Sequence, residues 1–214
     1  MSKTLRVVVP PHPLIGHWLT LLRDRETPSA LFNAAMAELG RWLTYEALRD
    51  WIPYQRVQVQ TPLSVTEGTV VDGSVPMLAI PVLRSGLALW EGARPVVPSA
   101  AVAHVDLADP AAGLPTTIPS RAGVLVFAPQ IASGTALLAL LEQLEQRGVN
   151  GTRLRVISAL AASPGLKRLG ERYEDLTIYT GCIDAELDAE NRILPGFGDA
   201  EQRLYGFSET NFVG

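Results

Sequence analysis

The sequence predicts an α/β fold in which a mostly parallel sheet is covered by helices on both faces. Short apolar runs, often β-branched and bounded by Gly, Pro or Asp, alternate along the chain with segments of helical periodicity. The runs are mainly apolar, which is typical of strands buried on both faces. The chain has 214 residues, 47% of them hydrophobic, which is enough for one sizeable core. We therefore expect a single domain over residues 1–214.

The predicted elements follow one another in a regular order. Apolar residues recur at helical spacing over Ser29–Trp51, which predicts an amphipathic helix. Shorter helices are predicted at Ala136–Arg147 and Gly165–Tyr173. The Pro-, Ala- and Gly-rich segment Asp106–Gly123 is predicted to be a connection. Buried strands are predicted at Thr69–Val71, Met77–Val82, Val102–Leu107, Val124–Phe127, Leu154–Ala161 and Leu176–Thr180.

Composition excludes several classes of function. The net charge of −4 provides no broad basic surface, so nucleic acid is not an expected partner. No apolar run approaches the roughly 18 to 20 residues that span a bilayer, and the N-terminus lacks a signal-peptide layout. Cys182 is the only cysteine, so no intrachain disulfide or cysteine-based zinc site can form. We expect a cytoplasmic protein without a membrane partner.

The segment after the strand Val124–Phe127 is a candidate anion site. Ala132-Ser133-Gly134-Thr135 lies between that strand and a predicted helix. In parallel sheets, ligands bind beyond the carboxyl ends of strands, where helix N-termini present free N–H groups. Small residues allow a phosphate to approach the backbone, and two hydroxyls add donors. Such a turn is also compatible with an ordinary helix N-cap.

Several motifs together resemble one enzyme family. Phe127-Ala-Pro-Gln-Ile-Ala-Ser-Gly-Thr135 resembles the phosphoribosyl pyrophosphate (PRPP) loop of uracil phosphoribosyltransferases, whose usual form is acidic-Pro-Met-Leu-Ala-Thr-Gly-Gly-Thr. Ile178–Asp184, followed by Ile193–Ala200 and Arg203, is similar to the uracil-binding region of the family. Further segments that agree in order are Pro11–Ile15, Leu39–Ala47, Thr61–Leu63 and Ile80–Leu87. The chain is identified as a member of this family, similar to cyanobacterial members in particular.

This resemblance implies a fold, a reaction and partners. The implied fold is the type I phosphoribosyltransferase fold, with a mostly parallel central sheet flanked by helices and a small hood region. Family members join uracil N1 to the ribose C1 of PRPP in pyrimidine salvage, giving UMP and pyrophosphate through a transition state with oxocarbenium character. They usually use Mg²⁺ and assemble as homodimers or larger oligomers. The implied small-molecule partners are uracil and PRPP.

The resemblance also assigns roles to individual residues. Arg84, beside Ser85, is expected to face the pyrophosphate, and Asp199 is expected near the ribose and magnesium; no residue is assigned directly as a metal ligand. The residues expected to hold the 5′-phosphate are Ala132, Ser133, Gly134, Thr135 and Ala136. The residues expected to bind uracil are Ile193, Gly196, Phe197 and Gly198. Three alternatives remain open: Arg84 pairs with a surface carboxylate, the glycines form only a turn, and Asp199 caps the next turn.

Three departures from the family pattern lie on the PRPP side. Ala128 stands where the family has Asp or Glu, and losing such a charged acceptor costs about 1.5 to 3 kcal/mol in binding. Thr135 replaces the second Gly, so its Cβ is expected to restrict the backbone. Between His104 and Val124, family members have a longer hairpin with an Arg that reaches over the active site; here the connection is shorter, and Val105–Pro110 contains no Arg. These departures suggest an alternative function, a protein without turnover that acts in binding, regulation or assembly and holds uracil, a nucleotide or a protein partner.

Overall fold

The computed structural model describes residues 5–206. The strands are β1 (Arg6–Val8), β2 (Tyr54–Gln60), β3 (Val65–Val71), β4 (Met77–Pro81), β5 (Ala101–Val102), β6 (Gly123–Ile131), β7 (Leu154–Ala162), β8 (Thr177–Thr180), β9 (Ile183–Asp184), β10 (Glu186–Leu187) and β11 (Ile193–Leu194). The helices are α1 (Pro13–Arg23), α2 (Ser29–Leu48), α3 (Gly86–Ala93), α4 (Pro110–Gly113), α5 (Thr135–Gln146), α6 (Ser163–Arg172) and α7 (Ala200–Tyr205).

Within residues 5–206, seven strands form the central sheet, in the order β1-β8-β7-β6-β4-β5 with β9 beside β7. Every pairing in this sheet is parallel. Parallel neighbours end at the same edge of a sheet, so the loops that follow β4, β6 and β7 emerge together. The predicted α/β fold with a mostly parallel sheet is confirmed.

The sheet separates two hydrophobic cores. One face is covered by α1, α2 and α3, with Phe32, Leu39 and Leu89 fully buried. The other face is covered mainly by α5 and α6, which bury residues such as Leu140 and Leu169. Because both faces are covered, the central strands β6 and β7 are mainly apolar, as their sequence indicates.

The structure corrects three of the predicted strands. Thr69–Val71 is not buried: it belongs to β3, which pairs only with β2 in an antiparallel hairpin outside the sheet, so its side chains are exposed. Val102–Leu107 shrinks to β5, followed by a single bridge between Val82 and Val105. β6 continues to Ile131 because its pairing with β7 continues that far. Ala128 consequently lies within a strand.

Helices α1 and α3 were not predicted from periodicity. In α3, six of the eight residues are buried, among them Ala88, Leu89, Trp90 and Ala93, and Glu91 is the one charged residue, so the polar face is too narrow to show an amphipathic pattern. Helix α1 begins at Pro13 and is capped by the His12 side chain, which accepts a hydrogen bond from the Leu14 N–H. Both helices pack on the same face of the sheet as α2.

In the described part of the chain, two small antiparallel sheets lie outside the central sheet. One is the β2–β3 hairpin, and the other pairs β10 with β11. We assign the expected hood to β10, β11 and the loop that leads from Leu194 to α7. Within residues 5–206, none of the helices has the length and apolar character needed to cross a membrane.

Candidate active site

The predicted phosphate loop connects β6 to the N-terminus of α5. Gly134 has φ of +78°, which is the left-handed region that glycine adopts without strain. Thr135 is the first residue of the helix, and within residues 5–206 Asn191 is the only non-glycine residue with positive φ. The expectation that the Thr135 Cβ restricts the loop is therefore wrong, because the special conformation falls on Gly134.

Within residues 5–206, the Thr135 N–H donates to the Ser133 hydroxyl at 3.5 Å, while three other main-chain donors at this loop are unpaired. Within residues 5–206, the N–H groups of Ser133, Gly134 and Ala136 have no protein acceptor among the hydrogen bonds of the loop. The loop also packs tightly against the start of α6, since a Cβ on Gly165 would lie 2.2 Å from the Ala132 oxygen. A firmly seated loop with free N–H groups at a helix N-terminus is suited to hold an anion.

Arg168 adds a positive charge beside this loop. Its Nη1 donates to the Ser133 carbonyl at 3.1 Å and also to the Thr135 hydroxyl. The Ser133 hydroxyl in turn donates to Thr135 Oγ1 at 3.3 Å. Sequence reasoning missed Arg168. The signal that could have found it is the parallel topology, because α6 follows β7 and starts at the same sheet edge as the loop.

A cavity of about 270 Å³ joins the phosphate loop to the loop after β4. The first loop contributes residues 132–134 together with Ala136, and the second contributes Leu83 and Ser85, on either side of Arg84. Ala128 also lines the cavity, so a methyl group stands where the family has a carboxylate. A larger cavity of about 630 Å³ lies at the amino ends of β4 and β5, and its lining is mostly apolar. We place the candidate site in the smaller cavity, because the unpaired N–H groups of Ser133, Gly134 and Ala136 lie beside it.

Arg84 is held by the last helix. Its Nε and Nη2 donate to Glu201 Oε2 at 3.1 and 2.6 Å, and its main-chain N–H donates to Oε1 at 3.1 Å. The Tyr205 hydroxyl donates to the Arg84 carbonyl at 3.0 Å. The side-chain hydrogen bond between Arg84 and Glu201 lowers the pKa of the Glu201 carboxyl and raises the pKa of the Arg84 guanidinium. Arg84 thus makes the surface ion pair that the sequence left as one of two alternatives.

The predicted uracil loop follows β11. Ile193 and Phe197 are buried, and the Phe197 ring packs edge-on against Phe32 at 5.8 Å between centroids. Gly196 and Gly198 have φ of +60° and +80°, so the turn uses glycine at both left-handed positions. These four residues form one structured turn, whose contact with uracil remains a prediction.

An internal ion pair supports this turn. Asp184 is 7% exposed, and its Oδ1 and Oδ2 accept from Arg23 at 2.6 and 3.0 Å. Oδ2 also accepts from the Gly196 N–H at 3.0 Å, while Arg23 donates to the Gly196 carbonyl at 3.1 Å. Burial raises the pKa of the neighbouring Cys182 thiol to about 11 despite the nearby Arg23 guanidinium. Sequence reasoning missed Arg23; the available signal was the acidic Asp184, which follows the buried strand β8 after a short loop.

Arg203 fastens the same turn to the region between α1 and α2. Its guanidinium donates to the Phe197 carbonyl at 3.1 Å and also to the carbonyls of Leu22 and Asp24. It lies over the Phe32 ring at 4.3 Å. Two arginines thus fix the uracil-side turn. Arg23 reaches it from α1, and Arg203 links it to the end of α1.

Asp199 lies where the turn meets α7. Its Oδ1 accepts from the Gln202 N–H at 2.9 Å, so it is the N-cap of the helix, as one of the two sequence-based alternatives states. The side chain is exposed, and the cap uses one carboxylate oxygen. Two residues further along, Glu201 in the first turn of α7 contacts Arg84.

Known proteins resemble the whole chain. The family model described as uracil phosphoribosyltransferase matches residues 9–207. The uracil phosphoribosyltransferase of Synechococcus elongatus is 45% identical over 96% of this chain and 99% of its own length. That of a Nostoc species is 42% identical, with 96% and 100% covered, so the similarity to cyanobacterial members is confirmed. The AQ2163 protein of Aquifex aeolicus superposes with a TM-score of 0.80 at 29% identity, covering 95% of this chain and 99% of that one.

The fold, the order of the motifs and these matches agree along nearly the entire chain. The parallel sheet flanked by helices is the type I phosphoribosyltransferase fold that the resemblance implies. The chain belongs to the uracil phosphoribosyltransferase family.

Proposed function

We propose that this chain is an active uracil phosphoribosyltransferase of pyrimidine salvage, which converts uracil and PRPP to UMP and pyrophosphate. The observation that carries the proposal is the cavity between Leu83–Ser85 and the β6–α5 loop, with the free N–H groups of Ser133, Gly134 and Ala136 beside it. The names of the full-length relatives support the choice of uracil as the base. No described contact favours the alternative of a protein without turnover.

Each loop has a separate task in this proposal. The main-chain N–H groups of Ser133–Ala136 hold the 5′-phosphate, with the α5 dipole directed at the dianion. Arg84 stabilises the negative charge that develops on the departing pyrophosphate, an interaction that strengthens as the bond breaks. The residues expected on the phosphate side are Ala132, Ser133, Gly134, Thr135 and Ala136.

The uracil-side turn reads the edge of the base. Ile193 and Phe197 supply apolar surface, while main-chain groups of a glycine-containing turn can match the alternating donors and acceptors of uracil. The Gly196 N–H is engaged by Asp184 and its carbonyl by Arg23. We therefore assign the polar contacts with the base chiefly to the N–H groups of Phe197 and Gly198.

Magnesium fits this site as an ion carried by the substrate. Among residues 5–206 there is no cluster of three His, Cys, Asp or Glu side chains that could hold a metal. Mg²⁺ is commonly bound by one or two carboxylates together with substrate phosphates, and the exposed Asp199 carboxylate is the protein ligand we propose. The ion would neutralise charge on the leaving pyrophosphate.

We also propose a homo-oligomer of single-domain subunits in the cytoplasm. The β2–β3 hairpin contacts little of its own subunit, and Tyr54, Leu63, Val65 and Val71 on it are 59% to 96% exposed. A two-stranded hairpin of this kind is marginally stable alone, and exposed apolar patches mark association surfaces. Light scattering on the purified chain measures the subunit number.

The function is tested by measuring UMP formation from uracil, PRPP and Mg²⁺. Gly134→Ala and Gly148→Ala form a matched pair, because both glycines have φ near +77° (+78° and +76°). A Cβ on Gly134 would lie 2.9 Å from the Gly165 oxygen, whereas one on Gly148 meets nothing within 4 Å. We expect UMP formation by the unmodified chain and by Gly148→Ala, and at least a tenfold loss in Gly134→Ala.

Two results would contradict the proposal. One is an unmodified chain that forms no UMP and shows no PRPP binding by calorimetry. The other is equal loss of activity in both glycine variants, because the backbone strain that they share would then account for the effect rather than the phosphate loop.

A further inference from the structure

The contact between α7 and Arg84 takes up the donors that the pyrophosphate needs. Three donors of Arg84, the main-chain N–H, Nε and Nη2, converge on the two oxygens of the Glu201 carboxylate. The fork of a guanidinium matches a carboxylate and a phosphate in the same planar geometry. The Glu201 carboxylate therefore has the shape and charge of a phosphate edge at the position where Arg84 would receive one.

We propose that Glu201 is a latch on Arg84: its carboxylate occupies the Arg84 donors in the free protein, and a diphosphate group of the substrate must displace it to bind. This inference rests on the proposed function in one respect, the role of Arg84 as the pyrophosphate contact. Glu201 is accordingly a positioning residue that acts through Arg84 and touches no reacting atom.

The exposure of the pair makes such a displacement feasible. The Arg84 and Glu201 side chains are 60% and 38% exposed, so solvent screens the ion pair and its net stabilisation is small. The Glu201 carboxyl is ionised near neutral pH, because its hydrogen bonds with Arg84 lower its pKa. A diphosphate carries more charge than a carboxylate and can compete for the same donors.

Helix α7 itself stays in place when the latch opens. Ala200 and Leu204 belong to the hydrophobic core, and Arg203 binds the Phe197 carbonyl. The helix is thereby anchored on the face away from Arg84. Release of Arg84 requires only rotation of the Glu201 and Arg84 side chains, which is fast for exposed residues.

The latch is tested by the affinity for inorganic pyrophosphate, measured by calorimetry at low salt. Glu201→Gln removes the charge and keeps the size of the side chain. Glu145→Gln is the matched control, because Glu145 pairs with Arg172 at the same 2.6 Å and with similar exposure, 48% and 51%. We expect pyrophosphate to bind about threefold to fivefold more tightly to Glu201→Gln and equally to Glu145→Gln and the unmodified protein.

A second measurement separates the latch from a merely structural role. Competition in the free protein changes binding and leaves the chemical step alone, so Glu201→Gln should lower KM for PRPP with kcat unchanged. In an Arg84→Gln background, Glu201→Gln should give no gain in pyrophosphate affinity.

The latch is overturned if Glu201→Gln binds pyrophosphate equally or more weakly, if the gain survives in the Arg84→Gln background, or if pyrophosphate binds to none of these proteins. If Glu201→Gln binds pyrophosphate more tightly but the unmodified chain makes no UMP, the latch is supported and the proposed function is rejected. If the unmodified chain makes UMP but Glu201→Gln binds pyrophosphate with the same affinity, the proposed function is supported and the latch is rejected.

Discussion

The uracil-side turn and the phosphate-side loop are built in opposite ways. On the uracil side, Asp184 is 7% exposed and its carboxylate is bonded to Arg23 and to the Gly196 N–H. On the phosphate side, the N–H groups of Ser133, Gly134 and Ala136 are unpaired within residues 5–206. The uracil side is thus a closed network, in which the buried polar groups bond to one another, whereas the phosphate side has main-chain donors that are available to a ligand.

This difference explains where the chain departs from its family. Ala128 and the loop that contains Thr135 lie at the smaller cavity, while the uracil side keeps its motif. Of the altered connection over residues 104–124, Leu107 lines the same cavity, whereas His104, Leu114 and Ile118 line the larger one. A substitution in the closed network leaves a buried charge without a partner, which destabilises the fold. A substitution on the open side changes ligand binding and leaves the fold intact, as the undistorted backbone at Thr135 illustrates.

The largest expected effect is on stability, from Asp184→Ala. Removing the carboxylate leaves Arg23 and the Gly196 N–H without their acceptor, so the free energy of unfolding should fall by about 3 kcal/mol. Urea unfolding measures this. Glu67→Ala is the control, because Glu67 pairs with Arg56 while both are more than half exposed, and it should cost less than about 1 kcal/mol. Equal losses of unfolding free energy in the two variants would show that the Asp184 ion pair stabilises the fold no more than an exposed ion pair does.

The second effect is on the reactivity of Cys182. Burial raises the pKa of its thiol from 9.0 to about 11, so at pH 8 iodoacetamide should alkylate it about a hundredfold more slowly than an unfolded chain. Because the folded pKa lies above the unfolded one, the stability contributed by the protonated thiol is present below pH 9 and is lost between pH 9 and about 11. Rapid alkylation of the folded protein would contradict a closed uracil side.

The third effect is a gain on the open side, from Ala128→Asp. The new carboxylate can accept hydrogen bonds from the ribose hydroxyls, so the Kd for PRPP should fall about tenfold to a hundredfold. Ala128→Asn supplies a neutral acceptor and should give a smaller gain. Uracil affinity should stay the same in both variants, as calorimetry can show. Weaker PRPP binding in Ala128→Asp would mean that the ribose does not lie beside β6.

The smallest effect comes from Arg168→Gln. Its charge lies beside the loop but at the surface, so the Kd for PRPP should rise only about threefold, and less at high salt. Lys167→Gln makes the same change in net charge on the neighbouring residue of α6, which is also exposed, and should have no effect. If both variants weaken binding equally, the loss reflects the overall charge rather than the contact of Arg168 with Ser133 and Thr135.

Much of the fold follows from local patterns in the sequence. The runs at Val124–Phe127 and Leu154–Ala161 predict buried strands because they are apolar on both faces, and β6 and β7 confirm them. The position of Ala132–Thr135 between strand and helix predicts the candidate phosphate loop, which the structure places beside the cavity. Helix α3 was not predicted, because six of its eight residues are buried and the single charged residue Glu91 leaves too little of the periodicity on which such a prediction depends.

The partners of the charged side chains could not be predicted in this way. Arg23 meets Asp184 across 161 positions of the chain, and Arg84 meets Glu201 across 117. From the sequence, Arg84 is predicted to bind either a phosphate or a carboxylate, because the donors of a guanidinium fit both groups.

The sequence by itself determined the fold class, the family and the order of the family's motifs, since these depend on local backbone preference and on residues close together in the chain. Only the tertiary structure decided which carboxylate lies against Arg84, which arginines fix the uracil-side turn, and which N–H groups stay free. Coulombic and hydrogen-bonding energies act over a few ångströms of space, and the fold sets those distances independently of separation along the chain.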